Sequence, residues 1–187
     1  MVEPYPSITN GDGERGYATG YALRKGGSFN RKHYANGGGY TAAVCFRAVE
    51  ALLNYMEASY MLTGTLDATA REYWTTIRQR ANISTDIDKT IAATNMSMEA
   101  ENDWGAYTAG GVLTDKTLYN IRRERRCEFM AEGIRYMDLR RWRSMDQLVS
   151  TPSHLEGMHL WNTPMESWYL NSQGQTILVA DGSNQAN

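Results

Sequence analysis

Apolar positions recur at helical spacing over two neighbouring stretches and again over a third that is dense in charge. From about Ala43, the residues Cys45, Phe46, Val49, Leu52, Leu53, Met56 and Tyr60 fall on one side of a helix, with Glu50 and Glu57 at its rim. Gly64 is the expected stop, because a glycine accepts the left-handed backbone that ends a helix. A second helix is expected from Asp67 or Thr69 to Ala81, with Asp67 as N-cap and the stripe Ala70, Tyr73, Trp74, Ile77 and Ala81. Two amphipathic helices joined by so short a turn bury their stripes against each other. That makes residues 43–82 a helical hairpin of the size used in tetratricopeptide-like repeats.

The periodicity is weaker on either side. Residues 1–42 are rich in Gly, Asn, Ser and Tyr and predict loop and extended chain, with one strand near Tyr21 to Lys25. "NGGGY" at 36–40 predicts a loop rather than a phosphate cradle, since no Gly-Lys-Ser/Thr follows it. Residues 83–114 predict a loop with one short helix before residue 95, closing on an N-cap at Thr114 or Asp115. Residues 115–148 predict a long helix from Lys116 to Glu132 that bends at Gly133 and resumes to about Leu148. Beyond it, 149–187 is loop-rich, with one strand near Thr176 to Ala180 and an end that looks truncated. The fold class is therefore mainly α, with tetratricopeptide-like helical hairpins and long irregular loops. The whole chain, 1–187, is expected to be one domain portion.

The third stretch, "IRRERRCEFMAEGIRYMDLRRW", poses the sharper chemical question. On a continuous helix Leu118, Ile121, Arg122, Arg125, Phe129, Glu132 and Tyr136 share one face, so charge lies within the apolar stripe instead of opposite it. A nucleic-acid arm would turn its arginines to solvent and would not interleave Glu124, Glu128 and Glu132 among them. A catalytic carboxylate pair is also a poor fit, because flanking arginines favour the charged form of Glu128 and Glu132 where a general acid needs the opposite. The reading that remains is a structural ion-pair helix built on Arg122, Arg125, Glu128, Glu132, Asp138 and Trp142. In it Arg125 and its neighbours pair with Glu128 or Glu132 against another helix.

Composition narrows the classes further. The net charge of -2 gives no field that favours nucleic acid or an anionic membrane, and no apolar run approaches the length of a membrane span. "MVEPYPSITNGDGERGY" shows no basic and apolar leader pattern. Cys45 and Cys127 read as two buried thiols rather than a disulfide. His154 and His159 lack a third ligand, and "NGDGE" at 10–14 lacks the oxygen spacing of a calcium loop. No metal and no cofactor are expected. Aromatic content changes the picture most: 12 Tyr and 5 Trp stand against 3 Phe, a bias that suits surfaces wet on one edge.

"NIRRERRCEFMAEGIRYMDLRRW" resembles the signature helix of the SusD/RagB family of surface glycan-binding lipoproteins. "FRAVEALLNYMEASYMLTG", "YWTTIRQRANI" and "GYALRKGGSFN" resemble the family's preceding segments, in the same order. The likeness covers roughly residues 16–148 and looks like a C-terminal portion of a longer family member. It implies a non-enzymatic role: capture of an oligo- or polysaccharide on the extracellular face of the outer membrane, and delivery to a SusC-type TonB-dependent transporter. It also implies membrane contact only through a lipid anchor outside this segment.

Sugar rings stack on flat aromatic faces and bond to polar groups at the rim. The loop aromatics Trp104, Tyr107, Trp161, Trp168 and Tyr169, with Asn102, Asp103 and Asn162 beside them, are the candidate ligand contacts. Trp74 and Trp142 lie within helical stripes and are expected in the core. Two other classes stand against this reading. One is an intracellular helical-repeat scaffold that binds a peptide along the Phe46–Tyr60 helix and its partner; the other is a glycoside hydrolase, for which no carboxylate pair is evident.

Overall fold

The computed structural model of the chain describes residues 21, 23, 25–26, 30–34, 37–39, 45–109, 111–150, 159–160 and 162–176. By its internal contacts the chain divides into two units, one of residues 42–153 and one of residues 1–41 with 154–187.

The first unit is mainly helical. Helices α1 (Ala48–Thr63) and α2 (Ala68–Arg80) form the expected hairpin. Gly64 ends α1 with φ 71°, and its N–H donates to the Tyr60 carbonyl at 2.7 Å. Asp67 caps α2 by accepting from the Ala70 N–H at 2.7 Å. Across the hairpin Tyr55 and Tyr73 meet edge to face at 5.5 Å. The core gathers Val49, Leu53 and Met56 of α1 with Ala70, Trp74 and Ile77 of α2. Ile87 from α3 (Ile87–Ala93), Ile121 from α5 (Lys116–Glu128) and Phe129 complete it. Trp74 and Trp142 are buried, as their stripes predict.

Several boundaries differ from the periodicity. Helix α1 starts at Ala48, not near Ala43, so Cys45 and Phe46 precede it and are exposed, Phe46 at 88%. Cys127 is exposed as well, so neither thiol is buried. Ala81 ends α2 from an exposed position instead of extending its stripe. Glu57 is not at the rim but buried, at 3% exposure.

The segment expected to be loop before Asp115 contains α4 (Met96–Asn102), a 3-10 turn at Trp104–Ala106 and a two-stranded hairpin. Its strands are β1 (Tyr107–Thr108) and β2 (Gly111–Val112), paired antiparallel with Tyr107 opposite Val112. Asn95 starts α4 by accepting from the Ser97 and Met98 N–H groups. A second small core of Ala100, Ala106, Leu113 and Tyr119 holds this segment to α5.

The charged helix is shorter than expected. Asp115 caps α5, accepting from the Thr117 and Leu118 N–H groups at 2.9 and 3.0 Å. The helix ends at Glu128. Ala131 and Gly133 then take φ of 63° and 79°, which turns the chain sharply into α6 (Arg135–Arg141). A final short helix, α7 (Gln147–Ser150), follows a turn rather than continuing α6. The reversal resets the helical phase, so Tyr136 is exposed instead of sharing the face of Phe129.

In the second unit, 3-10 turns occupy Arg31–Tyr34 and Pro164–Trp168, and Leu170 bridges Thr176. Tyr21 and Leu23 are irregular and Lys25 lies in a turn, so the strand expected at 21–25 is not found among its described residues. Thr176 enters that bridge, while 177–180 of the second expected strand lie outside the described residues, as do the 10–14 stretch and His154.

Candidate functional site

The ion-pair helix is a clamp on the 103–112 segment. Asp103, buried behind α4, accepts from Arg126 at 3.0 Å, from Arg135, and from the Tyr119 hydroxyl at 3.2 Å. Its Oδ1 also caps the next turn through the Gly105 N–H at 2.8 Å. Arg122, 3% exposed, forms no ion pair among the described residues; its Nη1 donates to the backbone carbonyls of Tyr107 and Gly105 at 3.1 and 3.3 Å. Burial lowers its pKa to about 10. Its guanidinium lies 4.6 Å from the Trp142 ring, and Arg141 and Arg135 lie at 4.9 and 5.4 Å from that same ring. The Thr108 hydroxyl donates to the Trp142 carbonyl at 3.0 Å, and the Ala109 N–H to the Arg143 carbonyl at 2.8 Å. Backbone, buried charge and an indole face therefore fix one short loop from several directions.

Space is tight at the turn. A side chain at Gly105 would place its Cβ 3.0 Å from Arg135 Nη2 and 3.1 Å from Asp103 Oδ1. Glycine at this position is a matter of room for the Arg135–Asp103 pair rather than of backbone conformation.

The loop and the end of α4 together carry half of the candidate ligand contacts. Trp104 and Tyr107 are half-buried, Asn102 is exposed at the end of α4, and Asp103 is committed to its arginines. The Tyr107 hydroxyl donates to the Ala100 carbonyl at 3.0 Å, which fixes the ring against α4. The remaining candidates lie in the other unit. Trp168 is exposed and Tyr169 buried, while Asn162 is exposed with φ 56° and its N–H donates to Glu166. Trp161 lies outside the described residues.

The ion pairs expected on α5 have different partners. Arg125 does not bind Glu128 or Glu132. Its Nε holds both oxygens of Asp138 at 2.8 and 2.9 Å, and its other nitrogens reach Asn54 and Glu50. Glu128 and Glu132 instead bind Arg47, just before α1, and Glu128 also binds Arg80. A further pair, Glu124 with Arg78 at 3.0 Å, accepts the Trp74 indole N–H at 2.8 Å. The sequence reading missed the roles of Arg126, Arg135 and Tyr119; the available signal was the N-cap pattern at Asn95 and again at Asp103, which marks ordered structure in that stretch. Among the described residues no group of three His, Cys, Asp or Glu side chains could hold a metal, and no helix is long and apolar enough to cross a membrane.

The arrangement presents aromatic rings on a stiff backbone, which suits recognition of a ligand with apolar faces. A family model described as "SusD family" matches residues 5–176. No curated protein and no solved structure matches the chain.

Proposed function

Because this chain belongs to the SusD family, whose members are non-catalytic glycan-binding proteins of nutrient uptake, we propose that it captures an oligo- or polysaccharide at the outer face of the outer membrane and delivers it to a SusC-type TonB-dependent transporter. The supporting observation is the arginine-clamped loop at 103–112, which holds Trp104 and Tyr107 on backbone fixed by buried charge. Stacking on such rings keeps a sugar bound without bond cleavage, and a pre-ordered loop loses little entropy on binding. Trp168 and Asn162, both exposed, are proposed as further contacts.

The test is purification of the native polypeptide from the membranes of its source cells. Lipid modification, together with co-purification of a TonB-dependent barrel, is the expected outcome. A soluble cytosolic protein with neither would overturn the surface role and favour the helical-repeat scaffold.

A further inference from the structure

A concave surface lies on the helical unit, and none of its described lining residues belongs to the 103–112 loop. It is a groove of about 420 Å³ at the turn between α1 and α2, closed by α3 and the first turn of α5. That volume falls within the roughly 300–1,000 Å³ of small-molecule sites. Leu66 and Ile91 supply apolar lining, and Thr65, Thr117 and Tyr60 bring hydroxyl groups to it.

Among the described residues the charged ones in the lining are Arg71 and Asp88, and they pair with each other. One guanidinium nitrogen, Nη1, spans both Asp88 oxygens at 3.1 and 3.0 Å. Among the described residues this leaves Arg71 Nε and Nη2 available as donors. The pair is also open to solvent, with side-chain exposures of 44% and 70%, so the Asp88 carboxylate still has acceptor capacity. Nearby, Tyr60 donates to the Asp115 carboxylate at 2.9 Å, and Asp115 is further occupied by capping α5. The Lys116 ammonium, which donates to the carbonyl of the lining residue Ala92 at 3.5 Å, offsets the Asp115 carboxylate, so the charges at the groove balance.

We infer that this groove is a second subsite for a neutral saccharide. The inference rests on the glycan-capture reading above and names a site for it apart from the aromatic loop. Balanced charge disfavours an anionic or cationic ligand, either of which would meet a like charge beside its counter-charge. An open Arg–Asp pair disfavours a wholly apolar one, because burying its remaining donors and acceptors unbonded is costly. A sugar ring satisfies both conditions. Its C–H face lies on Leu66 and Ile91, and adjacent hydroxyls donate to Asp88 and accept from Arg71.

The test is an NMR titration of the isotope-labelled full chain with neutral gluco-, xylo-, manno- and galacto-oligosaccharides, with oligogalacturonate as the charged comparison. A neutral oligosaccharide should shift the amides of Thr65, Ile91 and Thr117, and oligogalacturonate should not. Asp88→Asn and Arg71→Gln should each weaken that response about tenfold, and both positions are exposed enough to leave the fold intact. Trp104→Ala should leave it standing. Shifts confined to the 103–112 loop would overturn the groove while preserving glycan capture. Binding in the groove that Trp104→Ala does not affect, with no loop shifts at all, would support the groove and count against the loop. A response to the charged sugar alone, or to none of the panel, would overturn the inference.

Discussion

Arg141 grips the Glu57 carboxylate with both ends of its guanidinium, Nη1 to Oε1 at 2.8 Å and Nη2 to Oε2 at 2.6 Å. The same carboxylate accepts the Trp142 indole N–H at 2.6 Å. One buried side chain of α1 thus holds two consecutive residues of the α6 region. Arg141→Ala strands a buried carboxylate with a single donor, and it should cost about 3 kcal/mol. Glu57→Gln keeps an acceptor for Trp142 and should cost less. Urea unfolding of both variants gives the ranking.

The Arg125–Asp138 pair is almost fully buried, whereas Arg47 and Arg80, which hold Glu128 and Glu132, remain partly exposed. Asp138→Asn should therefore destabilise by about 3 kcal/mol. Glu132→Ala should cost about 1 kcal/mol or less, because Arg47 keeps Glu128 and reaches water. Equal losses would mean that burial does not govern this network.

Tyr119 supplies a pH signature. Burial, then its hydrogen bond to Glu99, raises its pKa above the ordinary value of 10.0. A raised folded-state pKa gives stability that is complete below the unfolded value and is lost as pH rises beyond it. Arg122 acts in the opposite sense, since burial lowers its pKa to about 10 and the unfolded chain holds the proton longer above that pH. Tyr119→Phe should therefore flatten part of the decline in stability above about pH 10. Denaturation midpoints of the two proteins from pH 8 to 11 check this.

Gly105→Ala pushes a methyl group against Arg135 and Asp103. The expected cost is about 1 kcal/mol in overall stability. Amide exchange should quicken in residues 103–109 more than in the α1–α2 hairpin, which packs in the other core.

Much of the helical scaffold was legible because its stripes are regular. Asp67, Gly64 and Asp115 act as the caps their residue types suggest, and Trp74 sits where the period of α2 places it. Helix α4 was hidden, since of its residues only Ala100 is fully buried and it shows no apolar stripe. Arg125 was misassigned for a different reason. Reading a continuous helix makes Glu128 and Glu132 its neighbours, but the turn at Ala131 and Gly133 brings Asp138 back against it. The burial of Glu57 depends on partners 84 and 85 residues away, which no local pattern reports. The candidate loop was visible as aromatics outside a stripe. Its clamp was not, because Arg122 bonds to backbone carbonyls whose positions follow from the tertiary fold.

The most direct test of glycan capture is calorimetric titration of the full chain with a panel of neutral oligosaccharides, beside Trp104→Ala and Tyr107→Ala variants confirmed as folded. At least one sugar should bind, and each substitution should weaken that binding about tenfold, the scale expected for one lost stacking contact. Absence of binding across the panel would contradict glycan capture, and affinity that neither substitution changes would contradict the aromatic loop as its site.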